Sequence, residues 1–283
     1  SSDSLGSLEE IPGTFAEEAA PYYEAVKSRV GPPNNPKLWI KGFRSPFSDR
    51  PTVSLTLGRT DYWSARALEV AYEEGQLRKK FEAGQFDFID DTPGILGTHT
   101  AVITSDNKLM LAQRKSREVD FAGGAYSPSF EEAWNPLCDR AAFDPVLRGL
   151  REEFHAAVDH GIHVSSDNVF LLAVAREWGT FWHSALVFVV RLPARGDAVL
   201  EAWNPVLSPL DKNEHAGVCA VPITTRPGRD FLLETVRKGA VDVGRLLGVP
   251  GVKAAGTLSA GVLHPTSGRL RILLALQQLG ELI

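Results

Sequence analysis

Apolar positions recur along this chain with two different periods, and the changes of period divide it into elements. In "DPVLRGLREEFHAAVDHGI", Asp144 to Ile162, the residues Val146, Leu147, Leu150 and Phe154 repeat at helical spacing, which predicts a helix with one stripe turned to a core. The same spacing puts residues 149, 152, 153 and 156 on one side, so Glu152 and Glu153 are expected as an acidic face beside a loop. Such a face has two readings. It could collect a hard divalent cation, because Mg2+ takes carboxylate oxygens, or it could be solvated surface steadied by an Arg148 to Glu152 pair at i,i+4.

The remaining pattern is mixed. "FAEEAAPYYEAVKSRV" reads as a short helix in a Pro- and Ser-rich arm over residues 1 to 50, followed by a loop at "GPPNNP". "PTVSLTLGRTDYW" alternates as a strand ending at Gly58, and "SARALEVAYEEGQLRKKFEAG" follows as helix. "ILGTHTAVITSDNKLMLAQRKS" is two apolar runs joined at Ser105-Asp106-Asn107, residues that favour a tight turn, and predicts a hairpin. "FAGGAYSPSFEEAWNPLCDRAAFDP" reads as loop, "NVFLLAVAREW" and "WHSALVFVVRLP" as strands, and the chain after "LDKNEHAGVCAVPI" as mostly helical. Strands and helices in this order predict the α+β class, with an N-terminal region over 1 to 95 and a second domain over 96 to 283.

Composition narrows the partners more than the fold. The chain has 283 residues, 43% hydrophobic and 23% charged, enough for a sizeable core. A net charge of -5 without any basic block argues against nucleic acid as partner. No run approaches the roughly twenty apolar residues of a membrane span. Cys138 and Cys219 stand far apart without metal-ligand spacing, so a reducing cytoplasm is the expected compartment. Oligomeric state cannot be read from the residues.

The succession "GTHTAVITSDNKLMLAQRKS", "FAGGAYSPSFEE" and "VLRGLREEFHAAVDHGI" resembles the Nudix hydrolases, whose box runs from a Gly-Gly loop through a glutamate to a helix reading Arg-Glu-apolar-x-Glu-Glu-x-Gly-apolar. On this sequence the loop is Gly123-Gly124, the loop acid is Glu131 or Glu132, and the helix begins at Arg148. Leu150, Glu152 and Glu153 fit the helix pattern, whereas Gly149 replaces its first glutamate and His155 and Ala156 its closing pair. The stretch containing "AWNPLCDRAAF" lengthens the box. A similar interruption occurs in the branch that hydrolyses UDP-glucose and UDP-galactose, and "LTLGRTDY", "SDNKLMLAQRKSREV", "NEHAGV" and "LHPTSGRL" extend the likeness loosely over about two thirds of the chain.

The resemblance implies a Nudix-like mixed sheet between helices and Mg2+-dependent attack of water on the diphosphate of a nucleoside diphosphate derivative. A UDP-sugar is the first choice, with ADP-ribose, a dinucleotide or coenzyme A open, and Mn2+ a possible substitute metal. It implies a metal held by Glu152, Glu153 and the carbonyl of Gly123, with Glu153 and Glu214 as catalytic carboxylates. Arg114 and Arg117 after a strand are candidate phosphate contacts, and Arg176 and Glu177, which interrupt an apolar strand, are candidate substrate contacts. Trp178 and Trp182 are candidates to stack on a base, or else core. Arg59 and Tyr62 are expected to let the N-terminal region contribute to the substrate pocket. Gly149 raises the rival reading, a catalytically silent module that binds a nucleotide or a protein.

Overall fold

The computed structural model describes residues 13–31, 34–44, 53–74, 76–84, 93–115, 123–154, 164–176, 183–203, 215–265, 267–278 and 280. Its elements run α1 (Gly13–Val30), β1 (Pro36–Arg44), β2 (Ser54–Asp61), α2 (Tyr62–Glu73), α3 (Gln76–Glu82), β3 (Leu96–Ile103), β4 (Lys108–Arg114), β5 (Tyr126–Ser127), β6 (Phe130–Ala133) and α4 (Asp144–Phe154). They continue with β7 (Val169–Arg176), β8 (Ser184–Arg191), α5 (Gly196–Ala202), β9 (His215–Pro222), α6 (Arg226–Lys238), β10 (Ala240–Val241), α7 (Val243–Gly248), β11 (Lys253–Gly256), β12 (Gly261–Val262) and α8 (Gly268–Gln277). The class is α+β, as the pattern predicts. None of the helices among the described residues is long and apolar enough to cross a membrane.

The chain divides into two compact units. The smaller comprises 1–97 with 133–140 and 174–185, and the larger 98–132, 141–173 and 186–283. In the smaller unit, Phe15, Ala19 and Val26 of α1 meet Ala67, Leu68 and Ala71 of α2 and Leu77 of α3 in one buried cluster. Strand β1, which the sequence pattern missed, pairs antiparallel with β2 and sets Trp39 opposite Gly58. Gly58 therefore does not end its strand. A Cβ there would lie 2.3 Å from the indole nitrogen of Trp39, so the glycine makes room for that buried ring.

The smaller unit also buries a carboxyl group. Glu69 of α2 pairs with Arg66 and lies 3.7 Å from His183 Nε2, while His183 Nδ1 lies 3.3 Å from the Ile95 carbonyl. Burial outweighs the attraction of Arg66 and pushes the Glu69 carboxyl up to about 9. Since this folded value exceeds the unfolded one, the fold holds a proton that the unfolded chain gives up. The associated stability is complete below the unfolded carboxyl range and is lost as pH rises toward about 9. Parent protein should accordingly lose on the order of 1 kcal/mol per pH unit between about pH 6 and 9, while Glu69→Gln flattens that slope. Melting curves across this range decide it, and equal slopes would reject a protonated Glu69.

The larger unit is built on an eight-stranded sheet whose main path is β11-β9-β4-β3-β8-β7, with β5 on β4 and β6 on β3. The β3–β4 turn forms at the predicted residues. Asn107 takes φ 55° and Asp106 accepts from Thr104 Oγ1 at 2.7 Å and from the Gly196 amide at 2.8 Å. Although burial alone would raise the Asp106 carboxyl, these hydrogen bonds and Lys108 bring it down to about 2. Strand β9 lies next to β4 at the centre of the sheet, where the sequence pattern carried no strand. Its residues Val218 to Val221 are fully buried, and Cys219 and Val221 pack with Ile103, Leu109 and Leu111 beneath α6 and α8 residues Phe231, Leu232, Ile272 and Leu276. That burial follows from an apolar run in a strand covered on both faces.

Candidate functional site

Strand β4 ends at Arg114, and the register of the β4–β9 pair shifts there so that Arg114 faces His215. The Gly123-Gly124 turn closes back on the same arginine. The Gly124 amide donates to the Arg114 carbonyl at 3.1 Å and the Arg114 amide to the Ala125 carbonyl at 2.9 Å. Gly124 has φ 78°, a left-handed conformation that glycine adopts without strain. The Gln113 side chain fixes the turn further, donating to the Gly124 carbonyl at 3.1 Å while accepting from the Ser259 amide at 2.8 Å.

The segment expected as loop contains strands β5 and β6, and these deliver two glutamates to different tasks. Glu131 is enclosed: Arg271 of α8 and the Ser127 hydroxyl at 2.6 Å bind Oε1, and Arg114 Nη1 at 3.0 Å binds Oε2. Burial would raise its carboxyl, yet Arg271, His264, Arg114 and His99 together hold it well below the usual carboxylate range. Glu132 pairs with Arg148 of α4 and thereby ties β6 to the helix. Of the two loop acids left open by the resemblance, Glu132 is thus the one joined to the helix, while Glu131 is held by Arg271 and Arg114.

Helix α4 has the predicted amphipathic character but not the predicted acidic face. Gly149 and Glu153 are buried together with Val146, Leu150 and Phe154, whereas Glu152 is half-exposed and lies 3.8 Å from Arg148. Glu153 points inward, its Oε2 3.0 Å from Nδ1 of His215. His215 is buried, and burial followed by the Arg114 and Lys115 charges presses its imidazole down to about 3, against the opposing pull of Glu131. The two buried groups face each other at this distance, and no hydrogen bond joins His215 Nδ1 to Glu153 Oε2. The residue at 149 is set by packing. A Cβ at Gly149 would lie 2.3 Å from Cε2 of Phe130 and 2.8 Å from Cγ of Glu132, inside any real contact distance.

Among the described residues no three His, Cys, Asp or Glu side chains gather as a metal-holding group. Glu131 and Glu132 pair with arginines, Glu152 lies 3.8 Å from Arg148, and Glu153 lies 3.0 Å from His215. That donor set does not make an all-protein cage. Mg2+ is commonly held by one or two carboxylates with waters and substrate phosphates as the other ligands, and Glu152 and Glu153 supply that type of donor.

The other predicted residues are dispersed. Arg59 lines a cleft of about 560 Å³ with Leu38, Leu57, Trp134, Pro136 and Asp139, all in the smaller unit. Tyr62 begins α2 there, with Lys37 Nζ 5.9 Å from its ring centroid. Arg176 ends β7, also in a segment of the smaller unit. Arg117, Glu177, Trp178, Trp182 and Glu214 lie outside the described residues. Sequence reasoning missed Arg271, and a signal existed: a charge stands inside the apolar run "LRILLAL" of α8.

No family model matches the chain, and no curated protein matches it. Among solved structures it is similar to the NUDIX domain of Shewanella oneidensis NrtR complexed with ADP ribose, at 16% identity and TM-score 0.28, covering 41% of this chain and 72% of that one. It is similar to a Deinococcus radiodurans protein at 15% identity and TM-score 0.29, covering 48% of this chain and 71% of that one. A bifunctional NMN adenylyltransferase/ADP ribose pyrophosphatase from Francisella tularensis matches at 14% identity and TM-score 0.26, over 47% of this chain and 35% of that one.

Proposed function

We propose that the larger unit is a Nudix-type module that hydrolyses the diphosphate bond of a nucleoside diphosphate derivative, with a UDP-sugar as first choice. One observation carries this reading. Three segments distant in sequence, Arg114 with its Gly123-Gly124 turn, Glu153 of α4 and His215 of β9, meet at one end of the central strands. Arginine beside a glycine turn suits a diphosphate, because the guanidinium offers a fork of donors to phosphate and glycine lets backbone approach closely. When bound at Glu152 and Glu153, with the Gly123 carbonyl as a further donor, Mg2+ would neutralise phosphate charge and acidify a water. Arg114 holds and orients a phosphate. His215 packs against Glu153, its Nδ1 3.0 Å from Oε2. Glu214, which precedes His215 in sequence, is the proposed general base that takes the proton of the attacking water. Water adds to one phosphorus and the bridging oxygen leaves on the other, giving a nucleoside monophosphate and a phosphorylated moiety.

A second reading is favoured by Gly149, whose packing under Phe130 leaves no space for the family's first helical carboxylate. A module so built would bind the nucleotide without cleaving it. Incubation with UDP-glucose, UDP-galactose, ADP-ribose, a dinucleotide and coenzyme A, each with Mg2+ or Mn2+ and with products separated by chromatography, tests both. The expected result is metal-dependent release of UMP from a UDP-sugar. Calorimetric binding without any monophosphate over hours would establish the silent module instead.

A further inference from the structure

Arg271 is fully buried, and a guanidinium taken out of water costs several kcal/mol unless its donors are met. Here the two terminal nitrogens are met almost entirely by one short segment, while Nε is buried without a hydrogen-bond partner among the described residues. Nη1 donates to Ser127 Oγ at 3.0 Å, to the Phe130 carbonyl at 3.1 Å and to the Pro128 carbonyl at 3.4 Å, with the Thr100 carbonyl at 3.4 Å, and Nη2 donates to Glu131 Oε1. Apolar residues would stabilise such a core as well or better, so the arrangement calls for another reason. It lies in how the carboxylate of Glu131 is divided. Arg271 and Ser127 occupy Oε1, and Arg114 occupies Oε2 with His264 Nε2 3.9 Å away. Two arginines share one carboxylate, which leaves the trio one positive charge in excess. That excess sits beside the Gly123-Gly124 turn.

We propose that Arg271 is a positioning residue: by fixing Oε1 of Glu131 it turns Oε2 to Arg114, and so aims the Arg114 guanidinium at a phosphate of the substrate. This rests on the reading of the larger unit as a nucleoside diphosphate module. Arg271 itself touches no reacting atom. Burial lowers the pKa of its neighbour His264, with Glu131 opposing and Arg271 and Arg114 reinforcing that shift. Around the helix start, His99 Nδ1 and the Ser267 hydroxyl are hydrogen-bonded and brace α8 one turn before Arg271.

The test is Arg271→Lys, which keeps the charge and loses the fork. With UDP-glucose and Mg2+, KM is expected to rise about tenfold with kcat held within about twofold. Arg114→Lys should raise KM similarly, and the double variant should be no worse than the larger single change, because both act through one guanidinium. A second readout needs no nucleotide. In nitrogen-15 NMR of the full chain, the Arg114 side-chain signals, assigned by their loss in Arg114→Lys, should shift and lose hindered rotation in Arg271→Lys. Unchanged Arg114 signals would overturn the relay whether or not any nucleotide is bound, and fully additive KM effects would overturn it too. Shifted Arg114 signals in a protein that binds no diphosphate would uphold the relay and remove the nucleotide reading alone. Should Arg271→Lys fail to fold, Ser127→Ala removes the milder bond to the same oxygen and should shift the same signals, with unchanged signals again overturning the relay.

Discussion

Replacing Gly149 with glutamate should destabilise the protein by about 3 kcal/mol or more and leave metal affinity flat. Sequence resemblance alone points the other way, since glutamate restores the family's carboxylate and is the better helix former by up to about 1 kcal/mol. Packing decides between them. The new Cβ would stand 2.3 Å from Phe130 Cε2, and Phe130 cannot yield cheaply because it is buried against Phe154 with ring centroids 5.9 Å apart. Overpacking of this kind typically costs about 1 to 3 kcal/mol, and the added carboxylate would enter the buried side of α4 beside Glu132. Even Gly149→Ala should be neutral to destabilising, by up to about 2 kcal/mol, once the helix gain is subtracted. Denaturant unfolding measures both variants. A Gly149→Glu protein as stable as the parent would show that Phe130 does not close this site.

Glu153→Gln should abolish metal-dependent turnover, lowering kcat by about a hundredfold or more, at a cost of about 1 kcal/mol in stability. The small structural cost is a consequence of burial. Glutamine keeps the shape and remains beside His215, whose Nδ1 faces Glu153 Oε2 at 3.0 Å, but the ligand charge is gone. Glu153→Ala should cost more, because it leaves His215 facing a cavity. Parallel kinetics and melting of the two variants separate the roles. If Glu153→Gln turns over like the parent, the carboxylate is part of the fold and not of the chemistry.

What could be read from the chain was what depends on near neighbours. The Ser105-Asp106-Asn107 turn forms because Asp and Asn satisfy their own backbone locally, and α4 forms because Val146, Leu150 and Phe154 share a stripe. The apolar runs at β7 and β8 announced themselves by composition. Strand β9 did not, because "HAGVCAVP" has small residues and a glycine, and only pairing with β4 makes it central. Strand β1 was hidden by prolines before it and a Trp39–Gly58 fit that two separate segments create together. The site divides along the same line. Gly123-Gly124, Arg114 and the acid pair were visible as types and spacings. That Glu153 turns inward to His215, that Glu131 belongs to Arg114 and Arg271, and that Gly149 yields to Phe130 are facts of contacts more than ten residues apart along the chain, which no local pattern encodes.

The measurement closest to the central claim is phosphorus-31 NMR of the intact chain with UDP-glucose and Mg2+, run beside Glu153→Gln. The account predicts that the paired diphosphate resonances decay in the parent into two phosphomonoester signals, those of UMP and glucose 1-phosphate, and persist in the variant. Diphosphate resonances that stay unchanged in the parent over hours, while calorimetry registers bound nucleotide, would contradict hydrolysis at this site.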